Sequence, residues 1–113
     1  MIAGLGIDLV DIGRIATILE RSPNFVNKFN IDMQREVTPT DLARNIAVLE
    51  ALYKALSDEE RREIRQYRVS HNSKGTPTIE RLTTIDNWET QRNIRVSVTH
   101  EGEFLIAIVI IES

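Results

Sequence analysis

The sequence predicts an α+β fold in which one long helix lies across an antiparallel sheet. Three observations carry this. A capped, strongly helical stretch runs from Thr38 to about Leu56, and Ile94–Thr99 alternates apolar and polar residues as a half-buried strand does. The apolar run Phe104–Ile111 follows a short turn and is placed to pair back on that strand.

In order along the chain, residues 2–9 read as a strand, and Gly4 and Gly6 within it imply that another backbone approaches closely. Asp11 is a good N-cap for a helix running to about Arg21, with Ile12, Ile15, Ile18 and Leu19 on one face and Arg14 and Arg21 pointing elsewhere. Ser22-Pro23 is expected to cap a short helix over Asn24–Phe29, and residues 30–37 read as a loop. Thr38, Pro39 and Asp41 then supply a cap, a first-turn proline and an acid at the positive end of the helix dipole.

The long helix carries an apolar stripe of Leu42, Ile46, Leu49, Tyr53 and Leu56. Beside it runs a narrower row of Ala43, Ala47, Glu50 and Lys54, whose small residues admit a neighbouring backbone and lead to a charged pair at i, i+4. Ser57 to Glu60 looks like a capping box opening a further turn of helix. Gln66–His71 and Thr76–Leu82 read as a hairpin turning at Asn72-Ser73-Lys74-Gly75. A helical turn capped by Thr84 or Asp86 is expected around Ile85 and Trp88, and His100 to Glu103 is the expected turn before the last strand.

With 113 residues and 42% hydrophobic content, the chain is expected to form a single domain over 1–113 with one modest core. Aromatics are only 5%, so that core must be mostly Ile, Leu and Val. The net charge of -3 and the interleaving of arginines with acids, as in Glu59-Glu60-Arg61-Arg62-Glu63, argue against nucleic acid as the main partner. Absence of cysteine excludes disulfides, thiolate nucleophiles and cysteine-based zinc sites. No secretory signal is visible and no apolar run approaches the ~20 residues of a membrane span, so a soluble, cytoplasmic protein is expected, with no membrane partner.

Three residues stand out chemically. Asp8 interrupts an apolar strand, and a buried carboxylate without a partner is costly, so it must meet a cation, a set of donors or water. Glu50 and His100 complete the set. Asp8 and Glu50 together could hold a hard divalent cation, since magnesium takes one or two carboxylates with waters and phosphates completing its six oxygens. Plainer roles stand beside each: a cap or turn for Asp8, a surface pair with Lys54 for Glu50, and an ordinary turn histidine for His100.

The opening Gly6-Ile7-Asp8-Leu9-Val10-Asp11-Ile12-Gly13-Arg14-Ile15 resembles the signature G-[IL]-D-[ILV]-V-x-[IV]-x-R-[IL] of the holo-acyl-carrier-protein synthases, the small 4'-phosphopantetheinyl transferases. Leu42-Ala43 through Ala47, Glu50-Ala51 and Lys54-Ala55-Leu56 are similar to that family's long helix. Val96-Ser97-Val98-Thr99-His100, followed by Phe104-Leu105-Ile106-Ala107, is similar to its last hairpin. The resemblance covers almost the whole chain. It implies a phosphopantetheinyl transferase-like fold and transfer of 4'-phosphopantetheine from coenzyme A to a serine of an apo acyl carrier protein, releasing adenosine 3',5'-bisphosphate.

By the same resemblance Asp8 and Glu50 bind Mg2+ with the coenzyme's pyrophosphate, while manganese would suit the same oxygen ligands. Asp8, Glu50, Lys54 and His100 form the catalytic set, and Lys54, Gly75, Pro77, Thr99 and His100 the coenzyme contacts. Arg14 and Arg21 face the carrier protein, and the assembly is a homotrimer with sites shared between neighbours.

The sequence departs from the family pattern around the coenzyme. Leu49 and Asn45 stand where the family has a lysine and an arginine, and Arg44, beside the latter, points about 100° away on a helix. Ser57-Asp58-Glu59-Glu60 replaces a glycine-rich stretch, Thr76 replaces the lysine of a G-K-P turn, and the 30–37 loop is shorter than usual. These changes imply either a divergent working transferase or a repurposed member that binds a carrier protein without transfer.

Overall fold

The computed structural model describes residues 1–29, 31, 36–82 and 93–113. Strand β1 (Ile2–Asp11) leads directly into helix α1 (Ile12–Arg21), and a 3-10 segment follows at Pro23–Lys28. Helix α2 (Pro39–Ala55), the short α3 (Asp58–Arg61) and a 3-10 turn at Ile64–Gln66 come next. The hairpin β2 (Tyr67–His71) and β3 (Pro77–Arg81) precedes the final pair β4 (Asn93–Glu101) and β5 (Phe104–Glu112).

The strands divide into two antiparallel sheets, one of three strands in the order β1-β5-β4 and one of two, β2-β3. β3 packs beside β4, but no ladder joins the two sheets among the described residues. The fold class expected from sequence is the one observed, with α2 lying against β1 and β5.

Local chemistry accounts for the helix starts. The Asp11 carboxylate accepts from Gly13 N at 2.9 Å and Arg14 N at 3.3 Å, which satisfies donors left free by the first turn of α1. Thr38 and Asp41 form a reciprocal box at α2, with Asp41 N donating to Thr38 Oγ1 at 3.1 Å and Thr38 N to Asp41 Oδ2 at 2.9 Å. Ser57 and Glu60 repeat the device at α3. Ser22, by contrast, makes no side-chain cap bond, and the segment after it winds as 3-10 helix rather than α.

Two further expectations are corrected by packing. The stripe expected to be the buried face of α2 is buried only at its ends, Leu42 and Leu56; Ile46 and Leu49 are half-buried and Tyr53 is 42% exposed. The deepest face is instead Ala43, Ala47, Val48, Ala51 and Leu52, all fully buried against the sheet side. Close approach of α2 to β1 selects small side chains there, which a stripe of large residues would prevent. His100 lies inside β4, paired with Leu105, and the turn tightens to Gly102-Glu103, where a φ of +59° at the first position suits glycine. The helical turn expected around Ile85 and Trp88 falls outside the described residues, as does most of the 30–37 loop.

On the inner face of the larger sheet, Leu105, Ala107, Val109 and Ile111 are buried under α2. The outer face is also apolar: Leu5, Ile7, Leu9 and Phe104 stay 54–60% exposed. A contiguous apolar sheet face of this kind is unusual for a free surface.

Candidate active site

The alternation of β1 turns Gly4, Gly6, Asp8 and Val10 toward α2 and leaves Leu5, Ile7 and Leu9 facing outward. The two glycines decide how near α2 comes. A Cβ on Gly6 would lie 2.8 Å from the Ala51 carbonyl carbon and nearer still to its oxygen; one on Gly4 would meet the Ala55 carbonyl in the same way. Strand and helix backbones are therefore in direct contact, as the glycines and the alanine row implied.

That contact sets two residues further along β1 within reach of α2. The Lys54 ammonium donates to Asp8 Oδ1 at 3.1 Å and to the Ile7 carbonyl at 3.0 Å. The Asp8 side chain is only 17% exposed, whereas that of Lys54 is 51% exposed. Asp8 thus meets the cation that a carboxylate in an apolar strand requires, and Lys54 bonds to Asp8 rather than to Glu50 as a surface pair. Glu50 lies one turn earlier on α2, exposed and on the same side of the helix as Lys54.

The donor set suits a hard cation. Among the described residues no group of three His, Cys, Asp or Glu side chains could enclose a metal. Two carboxylates near a helix–strand contact are nevertheless what magnesium takes when phosphate oxygens and water complete its shell. The cation bonded to Asp8 is a half-exposed lysine on a long flexible stem, a point charge able to turn toward another anion.

Beside Glu50 opens a cleft of about 820 Å³ lined by Leu49, Glu50, Tyr53, Ile64 and Tyr67, with Lys28 and Arg65 at its walls. Leu49 presents an apolar wall there. Neither Lys28 nor Arg65 stands out in the sequence, because each belongs to a short 3-10 segment whose placement only the tertiary fold decides.

The remaining candidates lie elsewhere. Thr99 and His100 line a groove of about 400 Å³ with Glu101, Phe104 and Ile106 at the β4–β5 tip. His100 faces Leu105, which faces Val10, whereas Asp8 faces Ala107, so two strand spacings of about 4.8 Å and a step along the strand separate the two. Gly75, with φ of +80°, and Pro77 sit at the β2–β3 turn. Arg14 and Arg21 are exposed on α1, seven residues apart and hence on one face. The chain brings Lys54 to Asp8, with Glu50 one turn earlier on the same helix; among the described contacts none joins Thr99, His100, Gly75 or Pro77 to them.

The fold is that of holo-[acyl-carrier-protein] synthases of known structure. A holo-[acyl-carrier-protein] synthase from Neisseria meningitidis superposes with a TM-score of 0.77 at 20% identity, covering 100% of both chains. The enzyme of the same name from Helicobacter pylori, solved in complex with coenzyme A, gives 0.72 at 22% identity, covering 96% of this chain and 99% of that one. No family model matches the sequence. The holo-[acyl-carrier-protein] synthase of Kocuria rhizophila is 33% identical over 116 residues, covering 100% of this chain and 94% of the relative. The chain belongs to the holo-[acyl-carrier-protein] synthase family and is a transferase enzyme. No helix among the described residues is long and apolar enough to cross a membrane.

Proposed function

We propose that this chain transfers 4'-phosphopantetheine from coenzyme A to a serine of an apo acyl carrier protein. The observation that carries the reading is the convergence of Asp8 and Lys54 across the β1–α2 contact, with Glu50 one turn away on the same helix side. In the reaction the carrier serine oxygen attacks the phosphorus bearing the pantetheine arm. The bridging P–O bond breaks, adenosine 3',5'-bisphosphate leaves, and the hydroxyl proton is released.

Asp8 and Glu50 are the residues that would hold Mg2+. The ion would supply charge neutralisation at the pyrophosphate oxygens. Lys54 holds Asp8 in place while the site awaits the coenzyme and then offers its ammonium, as a point charge, to the phosphates. Its exposure leaves the long side chain free to make that exchange. Arg14 and Arg21 offer two cations on one exposed face of α1 to the acids of a carrier helix, in keeping with an otherwise mildly acidic chain.

Thr99, His100, Gly75 and Pro77 serve the coenzyme from a neighbouring copy, a reading supported by the position of His100 two strands away from Asp8 within one chain. The exposed apolar face of Leu5, Ile7, Leu9 and Phe104 supports such an assembly, which we take to be a homotrimer working in the cytoplasm.

A second reading, a repurposed member that binds a carrier without transfer, draws on the apolar Leu49 at the cleft wall and the acidic turn Asp58–Glu60 after α2. Mass spectrometry of apo carrier protein incubated with enzyme, coenzyme A and magnesium separates the two. The first reading expects a phosphopantetheine gain on the carrier serine that Asp8→Ala or Glu50→Ala abolishes. Carrier binding that Arg14→Glu weakens, with no product formed, would establish the second.

A further inference from the structure

Helix α2 stops without a glycine after its last turn. That turn carries Lys54, and the Leu56 amide donates to the Leu52 carbonyl at 3.0 Å. The next carbonyl, that of Tyr53, would take the Ser57 amide were the helix to continue, but this amide is turned to Glu60 Oε1 at 3.1 Å in the box that opens α3. A carbonyl left over at a helix end needs another donor. Arg61 supplies it. Its Nε donates to the Tyr53 carbonyl at 2.8 Å, its guanidinium carbon lies 4.9 Å from the centre of the Tyr53 ring, and its Nη1 meets Asp58 at 3.2 Å. A cation at the C-terminal end of a helix also suits the dipole.

The Tyr53 carbonyl and the Lys54 amide belong to one planar peptide unit. Arg61 therefore grips the backbone immediately before Lys54, while the far end of the lysine bonds to Asp8 at 3.1 Å and to the Ile7 carbonyl at 3.0 Å. An ammonium on a flexible four-carbon stem is placed no better than the backbone that carries it. Resting on the transferase reading, we propose that Arg61 is a positioning residue for the transfer: by holding the Tyr53 carbonyl it fixes the peptide unit from which Lys54 reaches Asp8 and, in the reaction, the phosphates. The pair with Asp58, whose side chain is 97% exposed, contributes little; the bond to the carbonyl carries the role.

Two measurements on the full chain test this. In the first, the protein alone is labelled briefly with acetic anhydride, and peptide mass spectrometry reads the rate at each of its three lysines, with exposed Lys28 and Lys74 as references. Arg61→Ala should raise the relative rate at Lys54 several-fold. Arg61→Lys, which keeps a donor but not the planar face, should reverse part of that rise, and Asp58→Ala should leave the rate as it is. In the second, transfer to apo carrier protein is followed with coenzyme A and magnesium. Arg61→Ala should lower kcat roughly tenfold with KM for coenzyme A changed by less than about twofold, and should cost nothing more when added to Lys54→Ala, read in single turnovers. Circular dichroism keeps loss of fold apart from loss of position.

Lys54 labelled at the wild-type rate in Arg61→Ala overturns the inference. So does an equal fold-loss of transfer with and without the Lys54 side chain, since Arg61 would then act elsewhere. A raised KM for coenzyme A at unchanged kcat overturns it as well, because Arg61 would then touch the coenzyme itself. In all three cases the wild type still transfers the arm and the transferase reading stands. A wild type that forms no product overturns that reading and the duty assigned to Arg61 together.

Discussion

Replacing Gly6 by alanine adds a single methyl group at the point where strand and helix backbones touch. That methyl carbon would stand 2.8 Å from the Ala51 carbonyl carbon and 3.1 Å from Ala55 N. Carbon atoms rest at about 3.5–4.0 Å, so α2 must retreat from β1 by about 1 Å. Neither neighbour is a flexible side chain that could turn aside; both are backbone of a helix whose facing residues are buried. A radial gap of that size forfeits roughly a quarter to a half of each dispersion contact along the interface. Overpacking of this kind costs about 1–3 kcal/mol, and with backbone on both sides the upper end or beyond is expected. Retreat of α2 also lengthens the Lys54–Asp8 bond, so the site loosens with the fold. Urea unfolding followed by circular dichroism measures the stability, and coenzyme A titration of the folded fraction measures the site. A Gly6→Ala protein within about 0.5 kcal/mol of wild type would refute the backbone contact on which the site is built.

Lys54→Ala leaves the largely buried Asp8 carboxylate without its cation, so it should lower stability in urea by about 1–3 kcal/mol and also depress transfer strongly. Unchanged transfer in the folded fraction would make Lys54 structural instead. Leu105→Ala removes a fully buried side chain from β5 and should cost about 2–5 kcal/mol by denaturant titration; a cost under about 1 kcal/mol would contradict its place in the core. Thr38→Ala breaks the reciprocal box at α2 and should lower stability by about 1 kcal/mol, read from the urea midpoint at unchanged slope. Ile7→Glu puts a charge on the exposed apolar sheet face and should shift sedimentation toward monomer while leaving the chain folded; an unchanged assembly would place the interface elsewhere.

Much of the architecture was legible because its signals are local. Asp11, Thr38 with Asp41, and Ser57 with Glu60 each satisfy donors of a helix start within three residues, so their roles survive translation into three dimensions unchanged. The alternation of β4 and the apolar β5 likewise named their own pairing. Gly4 and Gly6 announced a close neighbour and Ala43 and Ala47 announced a face that could accept one, though nothing in either stretch said that the two elements belong to each other. The unexpected side of α2 shows where periodicity ends: Leu42, Ile46, Leu49, Tyr53 and Leu56 make the stronger stripe, but proximity of β1 rewards small side chains over large ones, and Tyr53 is left 42% exposed.

The chain by itself determined that Asp8 needs a partner, since an apolar strand offers a carboxylate no solvation. Tertiary structure alone decided that the partner is Lys54, 46 residues away in sequence, and that Lys28 and Arg65 border the cleft beside Glu50. It decided equally that His100 stands two strands away from Asp8. Desolvation is a property of a residue and its near neighbours, readable along the chain; which charges meet depends on how closely two backbones can pack, and that is settled only when helix and strand come together.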